Sequence, residues 1–524
     1  METEFGYDQY EEEIQDSNED DTSDGDDSSS DETTIPIKKQ KKVNYEICKF
    51  NFDEIRSKAG TLVSLVENNV ITTGPTEISD PISVYITEAK SQLNITFDLT
   101  DIQLKALYSL AQLKDTIVNI GTGEGKSMIY YLSILILGKI LNIPKPIGLC
   151  LQPTNDLSED KLQNPVTKTA FLTRSGDFRL STEKTEFSEP RDAVESGDFP
   201  AVVCSGEIIA CSDGQQFLKK IESHLVVGCL DDGHLFNSDQ WGDPSFRGDM
   251  SEMPRNIRGL LRKTGAPFLI LSATESKADI KITKRICDLE KNTTLIRSSP
   301  VLHNHMFINI KSPPDCNSFF GTPEGNCGTK HLLDEIYFRE FIDSVKSGTK
   351  PKKAILFVQK IKDLNAINDY LNKELKGKVD PKAKPWVTNF SGKGHVSKVK
   401  LRERLKANDV SLIVTTSVML VGIDFPDIQI VIILRPFSHL SSFIQAAGRG
   451  GRRRKDNTRA LVPVFSLFNN TDISKCRKHI TESVRNFLQN DNVCKKKLLH
   501  DYFQYHKEEN FVTSHAWCCN VCSL

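Results

Sequence analysis

Residues 115–137 read DTIVNIGTGEGKSMIYYLSILIL. Asp115 to Ile120 is a short β-rich run, Gly121-Thr122-Gly123-Glu124-Gly125-Lys126-Ser127 is a glycine loop, and an apolar stretch of helical length follows. Strand, glycine loop and helix together make a phosphate-binding loop. Glycines let backbone N–H groups wrap phosphates, the helix N-terminus favours negative charge, a lysine reaches the outer phosphates, and a Ser hydroxyl can ligate Mg²⁺. A nucleotide is therefore expected on Thr122, Gly123, Gly125, Lys126 and Ser127. The strict GxxxxGK[ST] pattern would have glycine where Ile120 stands.

On either side of this unit the chain alternates. The β-rich runs DTIVNI, PIGLCLQP, AVVCS, HLVVGCLDD and APFLILSAT are separated by helical stretches or loops, and a second set reads AILFV, WVTNF, SLIVTT, IVIIL and LVPVF. Such alternation predicts parallel sheets covered by helices. The fold class is α/β, with two domains over about 97–300 and 301–465. The run HLVVGCL ends in Asp231-Asp232-Gly233-His234. A carboxylate at a strand end, here Asp231, suits Mg²⁺, and the adjacent Asp232 can orient water.

The composition is uneven. The 524 residues hold 67 Lys and Arg against 70 Asp and Glu, a net charge of −3. Residues 1–34 contain fifteen acidic side chains and no Lys or Arg, which leaves residues 35–524 at +12. An acidic tail on a basic body predicts an anionic partner such as nucleic acid, and makes a basic protein a candidate partner of the tail. Residues 1–34 have too few aliphatic side chains to offset ordering entropy and are expected to be disordered. Lys38-Lys39-Gln40-Lys41-Lys42 resembles a nuclear import signal, so a nuclear location is expected. No N-terminal apolar segment suggests secretion, and the apolar stretch Met128 to Ile143 is too short for a span of ~20 residues. The thirteen cysteines are expected to be mostly reduced thiols. Within the N-terminal extension over residues 43–96, FDEIRSKAGTLVSLVENN reads as an amphipathic helix and TTGPTEISDPIS as a loop.

From Gln103 to Cys522 these residues resemble a superfamily 2, DEAH-like helicase, and within it the RecQ family of ATP-dependent DNA helicases. Gln103 is similar to the family's adenine-reading glutamine. Ile120 to Ser127 resembles motif I, and Pro153 to Lys161 (PTNDLSEDK) resembles motif Ia. Ser205-Gly206-Glu207 resembles motif Ib, and Asp231-Asp232-Gly233-His234 stands for DEAH. Gln240-Trp241-Gly242 with Phe246-Arg247 resembles the aromatic-rich loop that couples DNA binding to hydrolysis. Ser272-Ala273-Thr274 is similar to motif III, and Thr416 with Gly422-Ile423-Asp424 to motif V. Gln445-Ala446-Ala447-Gly448-Arg449-Gly450-Gly451-Arg452 is similar to motif VI. The resemblance implies two RecA-like domains with ATP·Mg²⁺ between them. It implies that His234 and Gln445 link this site to the nucleic acid, and that Asp424 belongs to the nucleotide site. Ser205, Glu207, Gln240, Trp241, Phe246, Arg247 and Thr416 would serve the nucleic acid. Arg452 is the expected arginine finger and Arg449 its partner, since a planar guanidinium suits a γ-phosphate.

The implied function is 3′→5′ movement on single-stranded and forked or partly duplex DNA, with unwinding, in repair, recombination or replication. Four positions depart from the family's pattern. Asp232 replaces a Glu that helps activate water, Leu99 and Thr100 replace an aromatic residue and an Arg, and Leu420 replaces a motif V glycine. Two other readings stand beside this one. The first is an RNA helicase, and the second is an ATP-binding, weakly hydrolysing regulator on nucleic acid.

Residues 466–524 resemble a RecQ-type zinc-binding subdomain, with Cys494-Lys495-Lys496-Lys497 and the terminal His515-Ala516-Trp517-Cys518-Cys519-Asn520-Val521-Cys522. Structural zinc takes four N or S ligands in a tetrahedron. Cys494, Cys519 and Cys522 would supply three, and Cys518 or His515 the fourth. The winged-helix domain carried by many RecQ enzymes is expected to be absent.

Overall fold

The computed structural model describes residues 50–64, 71–73, 80–153, 158, 161–162, 165–173, 175–183, 185–205, 208–209, 211–236, 253–312, 329–375, 387–390, 403–404, 410–420, 427–451, 458–469, 473, 480–503 and 518–522. Two predominantly parallel sheets organise them. Across the first, the strands run in the order Ile71–Thr73, Thr294–Arg297, Thr116–Asn119, Phe268–Ser272, Leu225–Leu230, Ile147–Gln152, Ala201–Ser205, Thr169–Leu172 and Phe178–Leu180. All neighbours are parallel except the outermost pair at each edge. The second sheet is parallel throughout, in the order His305–Lys311, Val462–Phe468, Ile430–Leu434, Ala354–Val358, Leu412–Thr415 and Val387–Phe390. These are two RecA-like α/β domains, followed by a small helical, cysteine-bearing segment.

Continuous apolar runs become central strands because a parallel sheet is covered on both faces. Every residue of Ile147–Gln152 and Leu225–Leu230 is buried. Along the first of these, Leu149 and Leu151 enter one core while Cys150 enters the other. The helix Lys126–Ile140 is apolar nearly all round and packs into that second core through Ile129, Tyr130, Leu132, Ile134 and Leu137.

The N-terminal extension is woven into both domains, which differs from the sequence reading in two places. The expected long amphipathic helix is confined to Phe52–Lys58. Ala59 leaves helical geometry, Gly60 turns the chain with φ +87°, and Leu62–Ser64 then forms a strand antiparallel to Thr458–Ala460. Phe52, Ile55 and Ala59 sit in one core of the second domain. The expected loop, Thr72 to Ser83, holds the last two residues of the edge strand Ile71–Thr73 on the first sheet and the start of the helix Asp80–Gln92. Long-range strand pairing and tertiary burial here override local pattern. Among the described residues no helix is long and apolar enough to cross a membrane.

Candidate nucleotide and nucleic-acid site at the domain cleft

The phosphate-binding loop springs from the buried strand Thr116–Asn119. Ile120, at the position of the missing glycine, is fully buried and donates its N–H to the Ser272 carbonyl at 3.1 Å. It therefore lengthens the strand rather than loosening the loop. Gly125 takes φ +77°, and a Cβ there would lie 2.5 Å from Gln103 Nε2, so the helix start needs glycine twice over. Lys126 Nζ donates to the carbonyls of Ile120 and Gly121 at 2.9 and 3.0 Å, which tucks its charge beneath the loop.

Gln103 is tied to the same loop. Thr100 caps the helix Asp101–Ala111 through Gln103 N–H, and Gln103 Oε1 accepts from Thr100 N–H at 2.9 Å. The Gln103 Nε2 donates to the Gly125 carbonyl at 3.1 Å. The Thr-x-x-Gln spacing of this capping box was legible from the sequence. It gives Thr100 a structural task at the place where the family has Arg.

Asp231 follows the strand Leu225–Leu230 and is nearly buried. Its Oδ2 faces Lys161 Nζ at 2.9 Å and accepts from Gln152 Nε2 at 3.3 Å. Burial works against the charged carboxylate, but Lys161 and the hydrogen bonds prevail and hold it below the usual range. Asp232 adopts φ +50°, a left-handed geometry that Asp tolerates better than most residues. Burial and the neighbouring Asp231 push its carboxyl up to about 6. The donor set of the Asp231 carboxylate with the Ser127 hydroxyl at the loop's helix start fits a hard divalent ion, and Lys161 already stands beside it as a cation.

His234 lies in the short turn Gly233–Phe236. Burial and the Lys126 charge lower its imidazole to about 4, so it is neutral at pH 7. Its Nδ1 meets Ser272 Oγ at 3.4 Å, and its Nε2 meets Gln445 Nε2 from the second domain. With the Gln445 amide nitrogen as donor, Nε2 accepts and Nδ1–H points to Ser272. Motif III, the DDGH turn and motif VI thus form one hydrogen-bonded row across the cleft.

The cleft is closed at three further points. Thr122 Oγ1 donates to the Gly448 carbonyl at 3.2 Å. Glu124 of the phosphate loop pairs with Arg459 of the second domain, whose side chain is 1% exposed. Arg449, just after the helix Leu440–Ala447, donates to the Leu420 carbonyl and lies near enough to Asp232 to favour its charged form. The Leu420 that replaces a motif V glycine therefore offers its carbonyl to motif VI.

At the C-terminus, the Sγ atoms of Cys494, Cys518, Cys519 and Cys522 all lie within 4.8 Å of one another. Cys494–Cys518 and Cys494–Cys519 separations are 3.4 and 3.9 Å. A tetrahedron with ~2.3 Å bonds needs sulfurs about 3.8 Å apart, so the set fits zinc, with Cys518 as the fourth ligand. The cluster sits at the start of the helix Lys495–Phe503, and the Cys518 carbonyl accepts from Phe307 N–H at 3.2 Å. Purified protein is expected to carry about one zinc per chain. A Cys519→Ser variant should lose it and unfold several degrees lower in a thermal melt. Full metal-free stability would contradict this.

Ser205 ends the strand Ala201–Ser205, and its buried Oγ has no hydrogen-bond partner among the described residues. Thr416 directly follows Leu412–Thr415, and its carbonyl accepts from Thr415 Oγ1 at 3.2 Å. Glu207, Gln240, Trp241, Phe246, Arg247, Asp424, Arg452 and His515 lie outside the described residues, as do the acidic tail and Lys38–Lys42. Sequence reasoning gave no role to Lys161, Gln152, Glu124 or Arg459. Lys161 was visible only as the last residue of PTNDLSEDK, and nothing in the sequence joins Glu124 to Arg459.

Comparison with known proteins matches both sides of this cleft to helicase families. Residues 100–282 match the DEAD/DEAH box helicase family and residues 335–454 match the helicase conserved C-terminal domain. The Caenorhabditis elegans ATP-dependent helicase wrn-1 is 21% identical over 353 residues, which cover 67% of this chain and 29% of that protein. The Rattus norvegicus ATP-dependent DNA helicase Q1 is 21% identical over 439 residues, 80% of this chain and 62% of that protein. The Gibberella zeae pre-mRNA-processing ATP-dependent RNA helicase PRP5 is 22% identical over 364 residues, 67% and 27% respectively. The chain thus spans less than two thirds of the length of each of these relatives. Among solved structures, the DUF1998 helicase MrfA bound to DNA superposes with a TM-score of 0.57 at 16% identity, over 82% of this chain and 55% of that one. Mycobacterium smegmatis helicase Lhr bound to single-stranded DNA and AMP-PNP gives 0.53 at 17% identity, over 78% and 50%. At such identities the superpositions speak to the fold.

Proposed function

We propose that this chain, a superfamily 2 helicase by its two matched domains, is an ATP-dependent DNA helicase or translocase of RecQ type that moves 3′→5′ along single-stranded DNA. The observation that carries the motor reading is the hydrogen-bonded row Ser272–His234–Gln445, which joins the DDGH turn of one domain to motif VI of the other. In this reading ATP lies on the phosphate loop. Lys126 and Ser127 meet its phosphates, and Asp231 with Ser127 would hold Mg²⁺, which supplies charge neutralisation at the outer phosphates. Asp232 receives the proton of the attacking water. Arg449 completes the site from the second domain, and Arg452 is proposed to do so as well. Closing and opening of the cleft then shifts the grip on the strand, a grip made mainly through phosphates and therefore weakened by salt. Support for DNA comes from the RecQ-type relatives and from the quoted Gln240-Trp241-Gly242 loop.

An RNA substrate is the second reading, favoured by the 22% identity to PRP5, against 21% for wrn-1 and helicase Q1. Stimulation by single-stranded DNA above that by RNA of the same sequence separates the two.

Asp232 decides between a motor and a nucleotide-gated binder. A displacement of ~1 Å in a catalytic group can cost ~10²-fold in rate. The expected result in steady-state hydrolysis is measurable turnover by the parent and a rise of up to about tenfold in Asp232→Glu. Asp232→Asn should fall below the parent by ~10²-fold or more. Silence in both the parent and the Glu variant would sink the motor reading.

A further inference from the structure

The cation beside the metal-site carboxylate belongs to the protein. Lys161 Nζ lies 2.9 Å from Asp231 Oδ2, with both side chains about nine-tenths buried. The Lys161 ammonium also stands over the rings of Tyr130 and Tyr131, at 5.8 and 5.9 Å from their centroids. Those rings come from the helix behind the phosphate loop, and Tyr130 is pinned by donating to the Gly148 carbonyl at 2.6 Å. Two further acceptor positions of Asp231 are engaged. Gln152 Nε2 donates to Oδ2 at 3.3 Å, and Asp232 N–H donates to Oδ1 at 3.1 Å. The adjacency is fixed by the sheet, where Leu151 pairs with Leu230 and so puts Gln152 beside Asp231.

A buried carboxylate with an ion-pair partner and two hydrogen bonds is electrostatically complete without a metal. A divalent ion that bound Asp231 directly would have to displace the ammonium or tolerate it at close range. We propose that Lys161 is the resident counter-cation of Asp231, so that the free protein binds divalent ions weakly and the metal enters together with the nucleotide that brings its own negative charge. This rests on the assignment of Asp231 as the metal-site carboxylate. Lys161 acts here as a positioning residue. It holds Asp231 oriented before nucleotide binds, and it makes metal entry conditional on ATP.

The test uses Mn²⁺ as probe, followed by electron paramagnetic resonance, on the nucleotide-free full-length chain. Lys161→Gln is expected to bind Mn²⁺ at least tenfold more tightly than the parent. Lys161→Arg, which keeps the charge, should remain as weak as the parent. Adding Asp231→Asn to Lys161→Gln should abolish the gain. In thermal melts Mn²⁺ at ten times its dissociation constant for Lys161→Gln should raise that variant's midpoint by roughly 2–4 °C and shift the parent by no more than about 1 °C at the same concentration. Should Lys161→Gln fail to fold, Lys161→Met keeps the aliphatic stem on the tyrosine rings and carries the same expectation. Equal Mn²⁺ affinity in the parent and either neutral variant would overturn the proposal, as would a gain that survives Asp231→Asn. The helicase reading is tested separately by hydrolysis in the parent. Equal affinities with active hydrolysis would remove the role of Lys161 alone.

Discussion

Gly448→Val is expected to lower nucleic-acid-stimulated ATP hydrolysis by about a hundredfold or more, while both domains stay folded. A Cβ on Gly448 would lie 2.2 Å from Thr122 Oγ1, 3.4 Å from Thr122 Cβ and 3.2 Å from the Ile444 carbonyl. Alanine at this position can be met by rotating the Thr122 hydroxyl away, so Gly448→Ala should cost only a few-fold. The two further methyls of valine have no such escape, because the Thr122 Cβ is fixed to the phosphate loop. The domains must then part, and residues such as Arg449 that follow Gly448 move away from the nucleotide. Loss of an arginine contribution to phosphoryl transfer is worth ~10³–10⁵ in rate, so a hundredfold is a conservative figure. Gly448 has φ −65°, so its own backbone accepts a side chain and the local fold should survive. Combining Thr122→Ala with Gly448→Ala should return activity toward that of Thr122→Ala alone. Steady-state turnover and thermal melts of the four variants measure this. A fully active Gly448→Val would mean that this closed arrangement is not the working one.

Gln445→Leu is expected to separate hydrolysis from nucleic-acid sensing. The substitution keeps side-chain size but removes the donor that meets His234 Nε2. A buried, neutral imidazole left with one unmade hydrogen bond costs about 1–3 kcal/mol, and the row to Ser272 loses its link to the second domain. Coupling energies between sites run to ~1–3 kcal/mol, or about 5–150-fold. The expected outcome is basal hydrolysis within about threefold of the parent, with stimulation by single-stranded DNA reduced about tenfold or more. Loss of basal and stimulated rates in equal proportion would assign Gln445 to chemistry instead.

Much of this arrangement was legible in the sequence because it rests on local chemistry. Ten β-rich runs became ten strands, since apolar runs bounded by turns describe the strands of a covered parallel sheet. The phosphate loop, the strand-end Asp231 and the Gly448–Arg449 turn were visible for the same reason, as short motifs with their own mechanics. Strands defined by distant partners were not visible. Leu62–Ser64 is three residues long and exists through pairing with Thr458–Ala460. Thr169–Leu172 and Thr294–Arg297 are four residues each and stand out little in the sequence around them. The interdomain pair Glu124–Arg459 and the buried pair Lys161–Asp231 depend on which strands lie side by side. No spacing rule encodes that adjacency.

The central claim is that ATP hydrolysis at this cleft drives movement along DNA. Its most direct measurement is ATP-dependent strand displacement by the purified chain on short duplexes, offered with a 3′ DNA tail, a 5′ DNA tail or a 3′ RNA tail of the same sequence. The account predicts displacement from the 3′ DNA tail that requires ATP, falls with salt and disappears in Gly448→Val. Displacement that needs the RNA tail, or runs from the 5′ DNA tail, would contradict it.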